Sequence, residues 1–347
     1  MIDTNPDYTT LQNKLNEIAR GYLLNGLDVN QLSNTTAAYK SLLNKLYDEN
    51  LDVEAGRTDV DFANGKAIGT FWAASCLEDH LRTRSFIRGI DNAIRDKLKD
   101  QISLNILYAG TGPYATLLLP LMSKYAEYKV KYTFIEINSL SLQILKQVIS
   151  KVGFQDFDIT FLQEDASRYQ IDGNNQPDII ISETMQKALE KEQQVPIFLN
   201  LMDQVGEDTL FIPEKIELVA GLADEGFDFI NQQPESFVNA GTLFEMSKTA
   251  LLPKSRWVNE QSGETIFQQT TLKIDKEALA NARHLFLLTE IRIYGSERLL
   301  VGESGLTIPT YMASINEGQS GDMFIECRYQ VSEVPGLDYN VRFSGER

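Results

Sequence analysis

The residues from Leu104 to Glu192 carry the side chains and turns from which chemistry can be read. Leu104-Asn105-Ile106-Leu107-Tyr108-Ala109 is an apolar run that ends in Gly110-Thr111-Gly112-Pro113. A glycine turn straight after a strand lets the backbone approach an anionic or polar ligand, and a helix that follows offers free N–H groups. Glu136 ends the next apolar run, and a carboxylate there can accept from both ribose hydroxyls. Gly110-x-Gly112-x-x-Ala115, with an acid about 20 residues on, fits the loose dinucleotide fingerprint; taken alone it also fits a tight turn. Glu164-Asp165 follows the run Asp158 to Leu162, where a ligand's base would lie at the carboxyl ends of the strands. Three more charged positions stand out. Arg82, on a helical stretch, reads either as a solvated charge or as a bidentate partner for a ligand carboxylate. Glu183 and Glu192, nine positions apart around Lys191, read alone as a solvated acidic helix start.

These residues need a scaffold. Short apolar runs bounded by Gly, Pro and Asn, alternating with amphipathic helical segments, predict a parallel α/β sheet from Leu104 to about Ala220. Ahead of it, Leu11, Leu15, Ile18, Tyr22 and Leu23, then Leu32, Tyr39, Leu42, Leu43 and Leu46, fall at helical spacing. The Ser33-Asn34-Thr35-Thr36 cluster marks a break or cap. An Asp- and Gly-rich loop, 52–64, leads into a helix over about Thr70 to Leu98. Beyond Pro213 strands dominate: 216–219, 265–274, 285–294, 323–331 and 339–343.

The chain has 347 residues, 43% of them hydrophobic, and a formal charge of −17. Two domains fit that length. The charge argues against nucleic acid, which needs clustered Lys and Arg, and favours cationic or neutral partners. Two cysteines and two histidines form no disulfide framework and no zinc set. The N-terminus does not read as a signal peptide, and the longest apolar run falls short of the ~20 residues that span a bilayer. The expectation is a cytoplasmic protein with no membrane and no metal.

Leu77-x-Asp79-x-Leu81-Arg82-Thr83, Phe134-Ile135-Glu136 and Asp178-Ile179-Ile180-Ile181-Ser182-Glu183-x-Met185 together resemble the protein arginine methyltransferases. So do Leu210-Phe211-Ile212-Pro213-Glu214 and Leu337-Asp338-Tyr339. The resemblance implies a class I S-adenosylmethionine-dependent enzyme: a seven-stranded Rossmann-like domain over 65–212, a β-barrel domain over 213–347 with an inserted arm at about 224–253, and an N-terminal helical segment over 1–64. It implies that Arg82 binds the cofactor's carboxylate, that Gly110, Thr111 and Gly112 line it, and that Glu136 holds the ribose. Glu164 or Asp165 would meet the adenine, and Met185 would pack near the transferred methyl. Glu183 and Glu192 fill the family's paired-glutamate positions. Two carboxylates suit a guanidinium, whose planar fork of donors matches them two bonds at a time.

The chain departs from that pattern in places. Tyr108 and Tyr114 stand near the family's aspartate and third glycine, and no Thr-His-Trp triplet is present; Thr307 to Met312 is the nearest candidate. The acceptor implied is a guanidine nitrogen of free arginine, of a related cationic small molecule, or of a protein arginine, with the enzyme a homodimer. The alternative is N- or O-methylation of another small-molecule acceptor. An NAD-dependent dehydrogenase leaves Arg82 and the glutamate pair unexplained. A non-catalytic module, with the tyrosines obstructing the cofactor, is the remaining reading.

Overall fold

A computed structural model describes residues 8–228, 234–252, 255–258, 265–316 and 321–344. Helices α1 (Tyr8–Leu23) and α2 (Val29–Leu46) open the chain, followed by the single turn α3 (Glu54–Arg57) and a hairpin of β1 (Val60–Phe62) and β2 (Gly65–Ala67). Asp28 caps α2 by accepting from Gln31 N at 3.0 Å. The Ser33-to-Thr36 cluster is therefore not a break; it lies inside α2, where Thr36 is buried against the Tyr22 hydroxyl. The two helices are not a free-standing cap. Leu15 and Tyr22 of α1 and Tyr39 and Leu43 of α2 share one apolar core with the central sheet, and Tyr39 donates to Thr116 O.

The helix expected over 70–98 is two: α4 (Thr70–Ser75) and α5 (His80–Lys97). Asp79 separates them, leaving helical geometry (φ −77°, ψ 89°) and capping α5 by accepting from Arg82 N. A side-chain acceptor that serves the first turn of a helix favours starting a new helix over continuing the old one.

The core sheet is parallel. It consists of β3 (Ser103–Ala109), β4 (Lys129–Ile135), β5 (Asp158–Leu162), β6 (Ile179–Ser182) and β7 (Leu210–Ile212), in the order β5-β4-β3-β6-β7, with helices α6 (Leu119–Lys124), α7 (Ser139–Lys151) and α8 (Gln194–Met202) between strands. Among the described residues it has five strands where seven are expected, because after β7 the chain passes at Pro213 into antiparallel structure. Order reverses between β3 and β6, which opens a crevice at the strands' carboxyl ends.

The remaining strands form two five-stranded antiparallel sheets. One joins β8 (Lys215–Asp224), β9 (Val238–Ser247), β13 (Ala282–Tyr294), β14 (Glu297–Leu299) and β15 (Thr310–Ser314). The other joins β10 (Arg256–Val258), β11 (Thr265–Phe267), β12 (Thr270–Ile274), β16 (Met323–Gln330) and β17 (Gly336–Phe343). Part of the stretch expected as an arm is paired into the first of these sheets. Residues 238–247 are strand β9, hydrogen-bonded along β8, while 229–233 and 253 fall outside the described residues. Among the described residues no helix is long and apolar enough to cross a membrane.

Candidate active site

The carboxyl ends of β3, β4 and β6 open onto a cavity of about 700 Å³. Arg82, Gly110, Thr111, Gly112, Glu136, Glu164, Asp165, Glu183, Met185 and Glu192 all line it. Five stretches separated in sequence, α5 and the segments after β3, β4, β5 and β6, thus deliver the ten residues singled out from the sequence to one cavity.

The glycine turn is built as its residues require. Gly110 sits at φ +73°, and a Cβ there would lie 2.2 Å from Thr184 Cγ2, so only glycine lets β3 and the Glu183 loop approach each other. A helix does not follow at once. Residues 112–118 form consecutive turns and α6 starts at Leu119, while the N–H groups of Gly110 and Gly112 donate to Ile135 O and Glu136 Oε2. Glu136 is held by that loop: it accepts from Gly112 N and Asn138 N, both at 2.8 Å. Burial pushes its carboxyl upward, opposed by those backbone donors.

The segment between the two glutamates is no solvated helix start. After β6 it folds through a 3₁₀ turn (Lys187–Leu189) with Ala188, Leu189 and Lys191 at positive φ, conformations that cost side-chain-bearing residues energy. The result is that both carboxylates are interior: Glu183 is 5 % exposed and Glu192 6 %. Gln194, at the start of α8, braces the loop by accepting from Thr184 N at 2.8 Å and donating to Ser182 O at 3.1 Å. Burial raises the Glu192 carboxyl to about 7, opposed by a hydrogen bond from Gln186 and the charges of Arg82 and Lys66.

Arg82 is also interior rather than a solvated helix charge, being 8 % exposed. Its Nη2 pairs with Glu183 Oε2, and its Nη1 donates to Cys76 O at 3.0 Å. Its Nε is buried without a partner. An unsatisfied buried donor on a cavity wall is the feature a carboxylate ligand would complete. On the base side, Glu164 is exposed and Asp165 half-buried, with Asp165 accepting from Ser167 N at 2.9 Å. Met185 is buried beside Glu183.

Several wall residues were not legible as such. Asp79 accepts from Ser304 Oγ at 2.7 Å and Gly305 N at 2.9 Å, tying a loop of the antiparallel domain to the helix that carries Arg82. Gly305 and Leu306 of that loop line the cavity, just ahead of the Thr307 to Met312 candidate, and Thr307 itself is fully buried. Trp72 lines the cavity from α4, whereas Trp257 does not. Tyr108 lines it too, its hydroxyl pushed well above the ordinary range by burial; Tyr114 does not line it. Asp59 and Lys66 come from the N-terminal hairpin. Only long-range contacts place that hairpin here, and local sequence carries no sign of them.

No protein-family model matches the sequence, and no curated protein matches it. Among solved structures it is similar to the Trypanosoma brucei PRMT1 enzyme-prozyme heterotetrameric complex with AdoHcy. The TM-score is 0.50 and the identity 17%, over 78% of this chain and 92% of the other. The chain therefore has the two-part fold of the protein arginine methyltransferases, a Rossmann-like domain joined to a barrel-like one.

Proposed function

We propose that the protein is an S-adenosylmethionine-dependent methyltransferase that acts on a guanidine nitrogen. The observation that carries this reading is the pairing of two buried glutamates on one cavity, with a guanidinium, that of Arg82, already seated on Glu183. A carboxylate that holds one guanidinium in the interior has the chemistry to hold another. The trypanosome protein of the same fold is complexed with AdoHcy, and the residues here fit that kind of ligand. Arg82, with its spare Nε donor, would take the amino-acid carboxylate; Gly110, Thr111 and Gly112 would lie along the ligand; Glu136 would take the ribose; Glu164 or Asp165 would meet the adenine.

S-adenosylmethionine, when bound, supplies a methyl group on a sulfonium sulfur. The chain's own residues then have three tasks. Glu183 and Glu192 hold the acceptor's fork and draw positive charge away from one terminal nitrogen, leaving its lone pair available. Glu192, titrating near 7, is suited to take the proton that the nitrogen sheds, which an unaided base could not remove from a free guanidinium of pKa above ~12. Met185 and the buried wall keep water from the reacting nitrogen.

The test is incubation with methyl-labelled S-adenosylmethionine and, separately, free arginine, an arginine-rich peptide mixture and no acceptor. Label on a guanidine nitrogen supports the reading; cofactor binding without such label moves the assignment to another small-molecule acceptor, for which the missing Thr-His-Trp triplet speaks. A cytoplasmic homodimer completes the reading, and light scattering on the purified protein checks the dimer.

A further inference from the structure

One end of the cavity is not accounted for by the glycine loop or the glutamates. Asp59, just ahead of β1, and Lys66, on β2, line it alongside Glu192. Lys66 Nζ donates to Asp59 Oδ2 at 2.5 Å, and Asp59 Oδ1 accepts from Gly69 N at 2.9 Å. Both side chains are largely buried, 28 % and 26 % exposed. The hairpin is fixed against the glutamate loop: Lys66 N donates to Lys191 O at 2.9 Å, and Lys66 bridges Glu192 in parallel fashion. Gly65, at φ +124°, permits this approach, since a Cβ there would lie 3.0 Å from Lys191 O. A matched cation and anion are thus positioned beside one of the two glutamates assigned to the guanidinium.

We propose that Asp59 and Lys66 bind the zwitterionic head of a free amino acid whose side chain carries the guanidine, Lys66 taking the α-carboxylate and Asp59 the α-ammonium. The acceptor is then free L-arginine or a close amino-acid analogue, and not an arginine within a polypeptide. This rests on the guanidine methylation reading above and names its acceptor class. Lys66 has three donors and spends one on Asp59; the Asp59 carboxylate has about four acceptor positions and spends two. Each partner therefore has capacity left for a ligand charge of opposite sign, and a zwitterion joins the pair into a closed set of four charges. An arginine inside a polypeptide has neither free charge, so it forgoes both contacts. Sites that hydrogen-bond a ligand group discriminate strongly against analogues that lack it.

The proposal is tested by calorimetric binding to the full chain in the presence of S-adenosylhomocysteine. The ligands are L-arginine, agmatine, which lacks the carboxylate, Nα-acetylarginine, which lacks the ammonium, and Nα-acetylarginine amide, which lacks both. Wild type should bind L-arginine at least about tenfold more tightly than each analogue, the scale of one charged hydrogen bond. Lys66→Met should erase the preference over agmatine, and Asp59→Asn the preference over Nα-acetylarginine, while Lys187→Met, at the other lysine of the wall, should erase neither. Equal binding of all four ligands by wild type, which needs no variant to fold, would overturn the proposal and leave guanidine methylation standing. A preference lost in Lys187→Met instead of Lys66→Met would overturn the assignment to Lys66. Binding of no guanidine at all would overturn both readings together.

Discussion

The guanidinium of Arg82 and the carboxylate of Glu183 form an ion pair buried in the cavity wall, joining the residue assigned to the cofactor's carboxylate to one assigned to the acceptor. The pair leaves Arg82 Nε over, so on the proposed reading a ligand carboxylate takes that donor while Glu183 stays on the cavity wall for the acceptor's guanidinium.

Replacing Arg82 by alanine should weaken S-adenosylmethionine binding by about tenfold to a hundredfold, the loss of one charged hydrogen bond. It should also lower stability by about 3 kcal/mol, because Glu183 is left buried without its partner. Arg82→Lys should not restore affinity, since a point charge lacks the planar fork. Titration calorimetry and urea unfolding measure the two effects.

The upward-shifted carboxyl of Glu192 gives two pH signatures. Pairing with a guanidinium needs the ionised form, so methyl transfer should rise through about pH 7. Stability should move oppositely: between the ordinary value of 4.5 and about 7 the unfolded chain ionises while the folded chain does not. Stability present below pH 4.5 is therefore lost by pH 7, on the order of 3 kcal/mol relative to Glu192→Gln. Urea unfolding of both proteins across that range checks the sign, and a flat difference would contradict it.

Much of this arrangement can be read from local sequence, and the parts that cannot have a physical reason. The helical spacing of Leu11 to Leu46 and the runs before Gly110 and Glu136 are local signals, and α1, α2, β3 and β4 follow them. Strands β9 and β15 lack strong alternation and owe their place to pairing with β8 and β13, up to about thirty residues away. Burial of Arg82 and the glutamates is likewise a product of tertiary packing; Arg82 and Glu183 are a hundred positions apart in the chain, and charge pattern along the sequence makes them look solvated. Asp59 falls in the Asp- and Gly-rich stretch 52–64, which reads locally as a loop, and its pairing with Lys66 carries no local signal for the same reason.

Gly110→Ala should abolish cofactor binding. Alanine at φ +73° is strained, and its Cβ would displace Thr184, the neighbour of Glu183. The cost to stability should be about 1–3 kcal/mol, read from thermal unfolding alongside the binding titration.

Asp79→Ala removes the cap of α5 and the acceptor for Ser304 and Gly305. A loss of about 1–2 kcal/mol in stability is expected, together with a raised KM for the acceptor, because Gly305 and Leu306 of the same loop line the cavity. Steady-state kinetics with fixed, saturating cofactor measures the KM.

The central claim is tested most directly by comparing wild type with Glu183→Gln in two assays on the same preparations: calorimetric binding of S-adenosylmethionine and transfer of labelled methyl to arginine. The substitution removes the carboxylate charge and keeps its shape. Cofactor binding within about threefold of wild type, with transfer reduced by about a hundredfold or more, is the expected result. Transfer undiminished in Glu183→Gln would contradict the assignment of the guanidinium to the glutamate pair, and absence of cofactor binding in wild type would contradict the methyltransferase reading itself.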